Sequence, residues 1–137
     1  MKRVFVDSSV LFTAVNSPTG GSAKLFTLKK LSLITSKVVL TEVERNIRKK
    51  LADYHLKRYF VMVGKIEIID QEPDDNLIKR ARKVIVEKDA VILAEAKQAK
   101  AHILVTLDRK HFLKEDVFSY LKPQKVMTPK MLLESLK

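Results

Sequence analysis

Cysteine is missing from the whole chain of 137 residues. Its absence excludes disulfides, thiolate zinc sites and thiol nucleophiles. A metal would have to be held by carboxylates, which favours Mg²⁺ or Mn²⁺. No apolar run approaches the ~20 residues needed to cross a bilayer, so we expect no membrane partner. The apolar run after Met1-Lys2-Arg3 is too short for a secretion signal, and the expected compartment is the cytoplasm. The glycine-bearing loop NSPTGG at 16–21 lacks a following Gly-Lys-Ser or Gly-Lys-Thr, which rules out a P-loop. Acidic charge is the minority: 16 Asp plus Glu face 27 Lys plus Arg, a net +11. Such an excess argues for a polyanionic partner such as nucleic acid, against the plainer reading of a Lys-rich solvated surface.

Apolar residues make up 46%, enough for one domain over 1–137 with one core. Short apolar runs alternate with helical patterns, which predicts a single α/β sheet with helices on both faces. The strands expected are Val4–Val6, Leu33–Thr35, Ile66–Ile69, Ile103–Leu107 and an edge strand Lys125–Met127. A short helix is expected from Ala23 to Lys30, capped by Ser22. The longest helix is expected from Thr41 to about Phe60, with Thr41 and Glu44 at capping-box spacing and Val43, Ile47, Leu51 and Tyr54 as its core stripe. Another is expected from Asp74 or Asp75 to about Val86, and a last one opens at Thr128-Pro129.

The most informative stretch is 87–112, a helix, a turn, a buried strand and a second turn. About twelve helical residues advance ~18 Å, and five strand residues return ~17 Å. Packed antiparallel, they bring Asp89 and Asp108 to one edge, at the carboxyl end of the strand where open α/β sheets place their sites. Asp7 ends the first strand, and Glu42 has no structural task in the first turn of its helix. Each of these acids taken singly could be a cap or a solvated turn residue. Together, four carboxylates converging on one edge would repel one another unless a divalent cation sits among them. Such a cation activates water and neutralises charge on a phosphoryl oxygen. An acidic nest in a basic protein points to phosphodiester hydrolysis.

The pieces VFVDSSVL at 4–11, LTEVERNI at 40–47, KDAVILAEA at 88–96 and ILVTLDRKHF at 103–112 resemble, in order and spacing, the PIN-domain ribonucleases. The resemblance spans nearly the whole chain. It implies a three-layer α/β/α sandwich with a central parallel sheet and an Mg²⁺- or Mn²⁺-dependent site that cuts RNA. It places Asp7, Glu42, Asp89 and Asp108 on the family's acidic positions and Ser8 and Thr106 on supporting hydroxyl positions. One departure stands out: many members carry a further acid two residues after the last Asp, where this chain has Lys110. Many relatives of VapC type are toxins of toxin–antitoxin pairs and dimerise, so the resemblance also implies an antitoxin protein and a homodimer.

The basic cluster Arg45, Arg48, Lys49 and Lys50 on the long helix is either a solvated face or a phosphate-contacting patch; from it Arg45, Arg48 and Lys49 are candidate RNA contacts, with Arg109 and Lys110 beside the last Asp. Cap and turn residues explain the acidic run DQEPDDN at 70–76 better than a metal site does. His55, His102 and His111 show no triad or zinc spacing, and a surface position is expected for His111. Two rival readings remain. A phosphoacceptor receiver domain would use Asp70, and a PIN-like RNA-binding module would bind without cutting. On the basic composition, RNA affinity should fall steeply with salt, because each phosphate contact releases counterions. Affinity measured by fluorescence anisotropy across a salt series checks this, and a flat dependence contradicts it.

Overall fold

The computed structural model describes all of residues 1–137. Its elements are β1 (Lys2–Val6), α1 (Ser8–Asn16), α2 (Gly21–Leu25), β2 (Leu31–Ser36), α3 (Lys37–Lys50), α4 (Tyr54–Val63), β3 (Glu67–Ile69), α5 (Asp75–Ala81), α6 (Glu87–Gln98), β4 (Ile103–Val105), α7 (Glu115–Leu121), β5 (Lys125–Met127) and α8 (Pro129–Ser135). The five strands form one sheet in the order β3-β2-β1-β4-β5, parallel throughout. Parallel strands need helical crossovers, which cover both faces and demand apolar side chains on both. Accordingly Val4, Phe5 and Val6 of β1 and Ile103, Leu104 and Val105 of β4 are all buried. Helix α1 packs on α2, α3 and α4, while α5 and α6 pack on each other and α6 reaches β2. The expected three-layer α/β/α sandwich with a central parallel sheet is the fold observed.

The chain leaves β1 toward β2 and β3 on one side, then returns to place β4 on the other side of β1. That reversal opens a crevice beyond the carboxyl ends of β1 and β4, which end one residue before Asp7 and three before Asp108. The same order excludes the receiver arrangement, in which the third strand would be central. Here β3 is an edge strand, and the exposed Asp70 beyond it pairs with Lys37 Nζ at 2.8 Å.

Three helices differ from expectation. Strand β2 runs straight into α3, so the cap is Ser36, whose Oγ accepts from Val39 N at 3.2 Å, rather than Thr41. Glu42 therefore lies in the second turn of α3. The expected long helix breaks at Leu51, whose backbone is extended. Good helix formers are overridden there by tertiary contacts. Arg58 Nη2 donates to Ala14 O at 3.0 Å and Tyr59 Oη to Leu40 O at 3.1 Å, which folds α4 back onto α1 and α3. Helix α5 ends at Ala81 rather than near Val86, whose backbone is already extended as the cap residue of α6. Helix α2 starts at Gly21 behind Gly20 and stops at Leu25, with Ser22 buried inside it rather than capping it. The caps at Asp74 and Thr128 are as expected, with Asp74 Oδ1 accepting from Asn76 N and Thr128 Oγ1 from Met131 N.

Ser36→Ala should cost about 0.5–2 kcal/mol, the usual cost of losing a cap. Thr41→Ala, on an exposed position, should stay within about 0.5 kcal/mol. Chemical denaturation of both variants checks this, and the reverse ranking contradicts it.

Candidate metal centre

A cavity of about 190 Å³ opens at the crevice between β1 and β4, and Asp7, Glu42, Asp89 and Asp108 all line it. Residues 19 to 101 positions apart thus meet at one sheet edge, as the topology requires. Each acid arrives on a different element: Asp7 between β1 and α1, Glu42 on α3, Asp89 in the first turn of α6, Asp108 in the turn after β4.

Asp7 is the most constrained. It occupies the cap position of α1, yet its side chain makes no capping hydrogen bond. Instead Oδ2 accepts from Ser9 Oγ and from Thr106 Oγ1, both at 2.8 Å. Those hydroxyls are themselves held by amides: Leu107 N donates to Ser9 Oγ and Asp108 N to Thr106 Oγ1, each at 3.0 Å. A hydroxyl has one proton to give, and these two give theirs to Asp7. The post-β4 turn is thereby tied to the post-β1 turn. Burial still raises the Asp7 pKa, against the lowering effect of the hydroxyl bonds. Ser8 sits between the next pair, its Oγ 3.5 Å from Asp7 Oδ1 and 3.3 Å from Glu42 Oε1.

Asp89 is buried, and its Oδ2 has no hydrogen-bond partner. Desolvation by burial pushes its pKa up to about 6, with Asp7 and Asp108 raising it further and Lys88 and His111 opposing them. An unsatisfied buried carboxylate oxygen is costly, and a cation removes the cost. His111 is not the surface residue expected from sequence. Its side chain is only 20% exposed, with Nδ1 3.0 Å from Asp108 Oδ2 and 3.5 Å from Asp89 Oδ2. The candidate ligand atoms of Asp89, Asp108 and His111 all lie within 4.8 Å of one another. Asp7 and Glu42 share the cavity but stand outside that tight group. The donor set and the orphaned oxygen fit a divalent cation, with Asp89, Asp108 and His111 closest together.

Two basic residues reach the cavity: Lys50, read from sequence as part of the basic cluster on the long helix, and Lys88, which the sequence did not single out. Lys50 and Lys88 line it, as do Asn46, Ser9, Phe12 and Phe112. Glu42, Asn46 and Lys50 recur every four residues along α3, the signal that could have marked Asn46 and set Lys50 apart from its cluster. Lys50 Nζ lies 6.0 Å from the centre of the Phe12 ring. Of the residues singled out as candidate RNA contacts, Arg45, Arg48, Lys49, Arg109 and Lys110 do not line this cavity. Arg48 instead pairs with Glu44 at 3.2 Å one turn back.

A parallel sheet reversing beside β1, with acids gathered at the reversal, defines a class of α/β proteins with a carboxylate-built site. The PIN domain family model matches residues 4–115, and the chain belongs to that family. Solved structures agree in fold. One is a DNA-bound VapBC from Salmonella typhimurium, TM-score 0.72 at 14% identity, covering 94% of this chain and 99% of that one. Another is VapBC2 from Rickettsia felis bound to a promoter DNA fragment, TM-score 0.67 at 17% identity, covering 92% and 98%. A third is Mycobacterium tuberculosis VapC20, described as a sarcin–ricin loop cleaving toxin, TM-score 0.59 at 15% identity, covering 78% and 91%. No curated protein matches the chain.

Asp89 has its folded pKa near 6, against an ordinary 3.8. Glu95, buried further along α6, is raised from 4.5 to about 7, again by burial. Between the unfolded and folded values the native state keeps protons that the unfolded chain has released. Stability of the metal-free protein should therefore fall as pH rises from about 4 to about 7. Thermal melts in EDTA across that range check this, and Asp89→Asn should flatten part of the slope. A midpoint that climbs with pH over this window contradicts it.

Proposed function

We propose that the protein is a divalent-metal-dependent endoribonuclease that hydrolyses RNA phosphodiester bonds. The observation that carries this reading is the unpartnered, buried Asp89 oxygen in a cavity of four carboxylates, with Lys50 and Lys88 at its wall. Acids alone would repel a phosphate, and lysines alone would hold it without cutting it. The combination suits a phosphate bridged to a cation.

Mg²⁺ or Mn²⁺ held by Asp89 and Asp108, with Asp7 and Glu42 in the same cavity, would supply an activated water and charge neutralisation at the phosphoryl oxygen. The chain's own groups do the rest. Lys50 and Lys88 attract and orient the phosphate by charge. The Ser9 and Thr106 hydroxyls keep Asp7 fixed and hydrogen-bonded, so it is pre-organised rather than rearranged on binding. Phe12, beside Lys50, offers an apolar face on which a base can stack. Arg45, Arg48, Lys49, Arg109 and Lys110 belong to this proposal as contacts to RNA outside the cavity.

The reading extends to a toxin of a toxin–antitoxin pair, with an antitoxin protein and a homodimer. Its support is the likeness to VapBC structures and to a toxin described as cleaving the sarcin–ricin loop. Lys110, standing where many relatives carry an acid, favours the second reading of an RNA-binding module without cleavage. The two separate in one assay. Purified protein should cut a mixed RNA pool in Mn²⁺ and leave it intact in EDTA. Asp7→Asn and Asp89→Asn should each lower the rate by at least about 100-fold, the scale of losing a positioned catalytic group, with circular dichroism unchanged. RNA that binds in EDTA and stays uncut in Mn²⁺ establishes the binding module instead.

A further inference from the structure

We propose that His111 is a metal ligand, forming with Asp89 and Asp108 a mixed imidazole–carboxylate site that takes a first-row transition cation in preference to Mg²⁺. The inference rests on reading this cavity as a metal centre, and goes beyond it by naming a nitrogen donor and the metal class that donor selects.

Distances carry the argument. Ligand atoms sharing one cation at ~2.1 Å bonds stand about 3.0–3.4 Å apart in octahedral or tetrahedral arrangements. His111 Nδ1 is 3.0 Å from Asp108 Oδ2 and 3.5 Å from Asp89 Oδ2. A second observation is independent of that spacing: Asp89 Oδ2 is buried and accepts no hydrogen bond. Were His111 only an orienting donor for Asp108, that oxygen would remain orphaned. A cation shared by the three groups satisfies it.

The local chain holds the ring in place. His111 N donates to Asp108 Oδ1 at 2.9 Å, closing the turn from 108 to 111 and fixing where the ring leaves the backbone. Coordination through Nδ1 uses the tautomer with its proton on Nε2. Lys110 brings no carboxylate to this turn, and the next residue offers an imidazole nitrogen. Mg²⁺ prefers oxygen ligands and gives up water reluctantly, whereas imidazole suits later divalent metals.

Pulsed EPR on the full chain loaded with Mn²⁺ alone tests this directly. Modulation from a coordinated imidazole nitrogen is expected, changing to the ¹⁵N pattern when histidine is ¹⁵N-labelled and disappearing in His111→Ala. By titration, His111→Ala should weaken Mn²⁺ and Co²⁺ binding about tenfold or more, and Mg²⁺ binding less than about threefold. The wild-type spectrum stands even if the variant folds poorly. Mn²⁺ bound without nitrogen coupling, or coupling that survives in folded His111→Ala, overturns the proposal. RNA cleavage without nitrogen coupling removes this inference and leaves the nuclease reading. Nitrogen coupling in a protein that cuts no RNA does the reverse.

Discussion

Bringing carboxylates of like charge out of water to one sheet edge is the constraint on which this structure turns. Asp7 and Asp89 are both buried, and the pKa of each is raised by that burial. The protein relieves the strain unevenly. Asp7 receives two hydroxyl protons, whereas one oxygen of Asp89 receives nothing. A core built for stability alone would place an apolar side chain at Asp89. That uneven satisfaction, in a cavity lined by three further acids, supports the proposal of a cation arriving from solvent.

The fold supplies the convergence. A parallel sheet that reverses beside β1 leaves a crevice between two strand ends, and each strand end delivers an acid. The amide–hydroxyl–carboxylate chain from Leu107 and Asp108 through Ser9 and Thr106 to Asp7 then locks the two turns together. Helices α3 and α6 add Glu42 and Asp89 from above. The sheet is rigid and buried on both faces, so these positions are set by the core rather than by mobile loops.

Much of this was legible in the residues. Ile103-Leu104-Val105 read as a doubly covered strand because no polar residue interrupts it, and the helix before it has the length to return Asp89 to the level of Asp108. What escaped depended on tertiary contacts. Leu51 and Ala52 have no local reason to break a helix; the break serves Arg58 and Tyr59, which anchor α4 to distant carbonyls. Ser36 and Thr41 are both capping types, and the direct passage from β2 into α3 places the cap at Ser36. Lys50 lines the cavity with Glu42 and Asn46, whereas Arg45, Arg48 and Lys49 do not. His111 was read as exposed because nothing local shows that the turn after Asp108 folds the ring back over Asp89.

The proposed function requires that these acids bind one class of ligand, a divalent cation. Diffraction from crystals equilibrated with Mn²⁺, recorded for anomalous scattering, tests it most directly. A peak beside Asp89 and Asp108 within the cavity bounded by Asp7 and Glu42 is the predicted result. Saturating Mn²⁺ with no anomalous density in that cavity contradicts it.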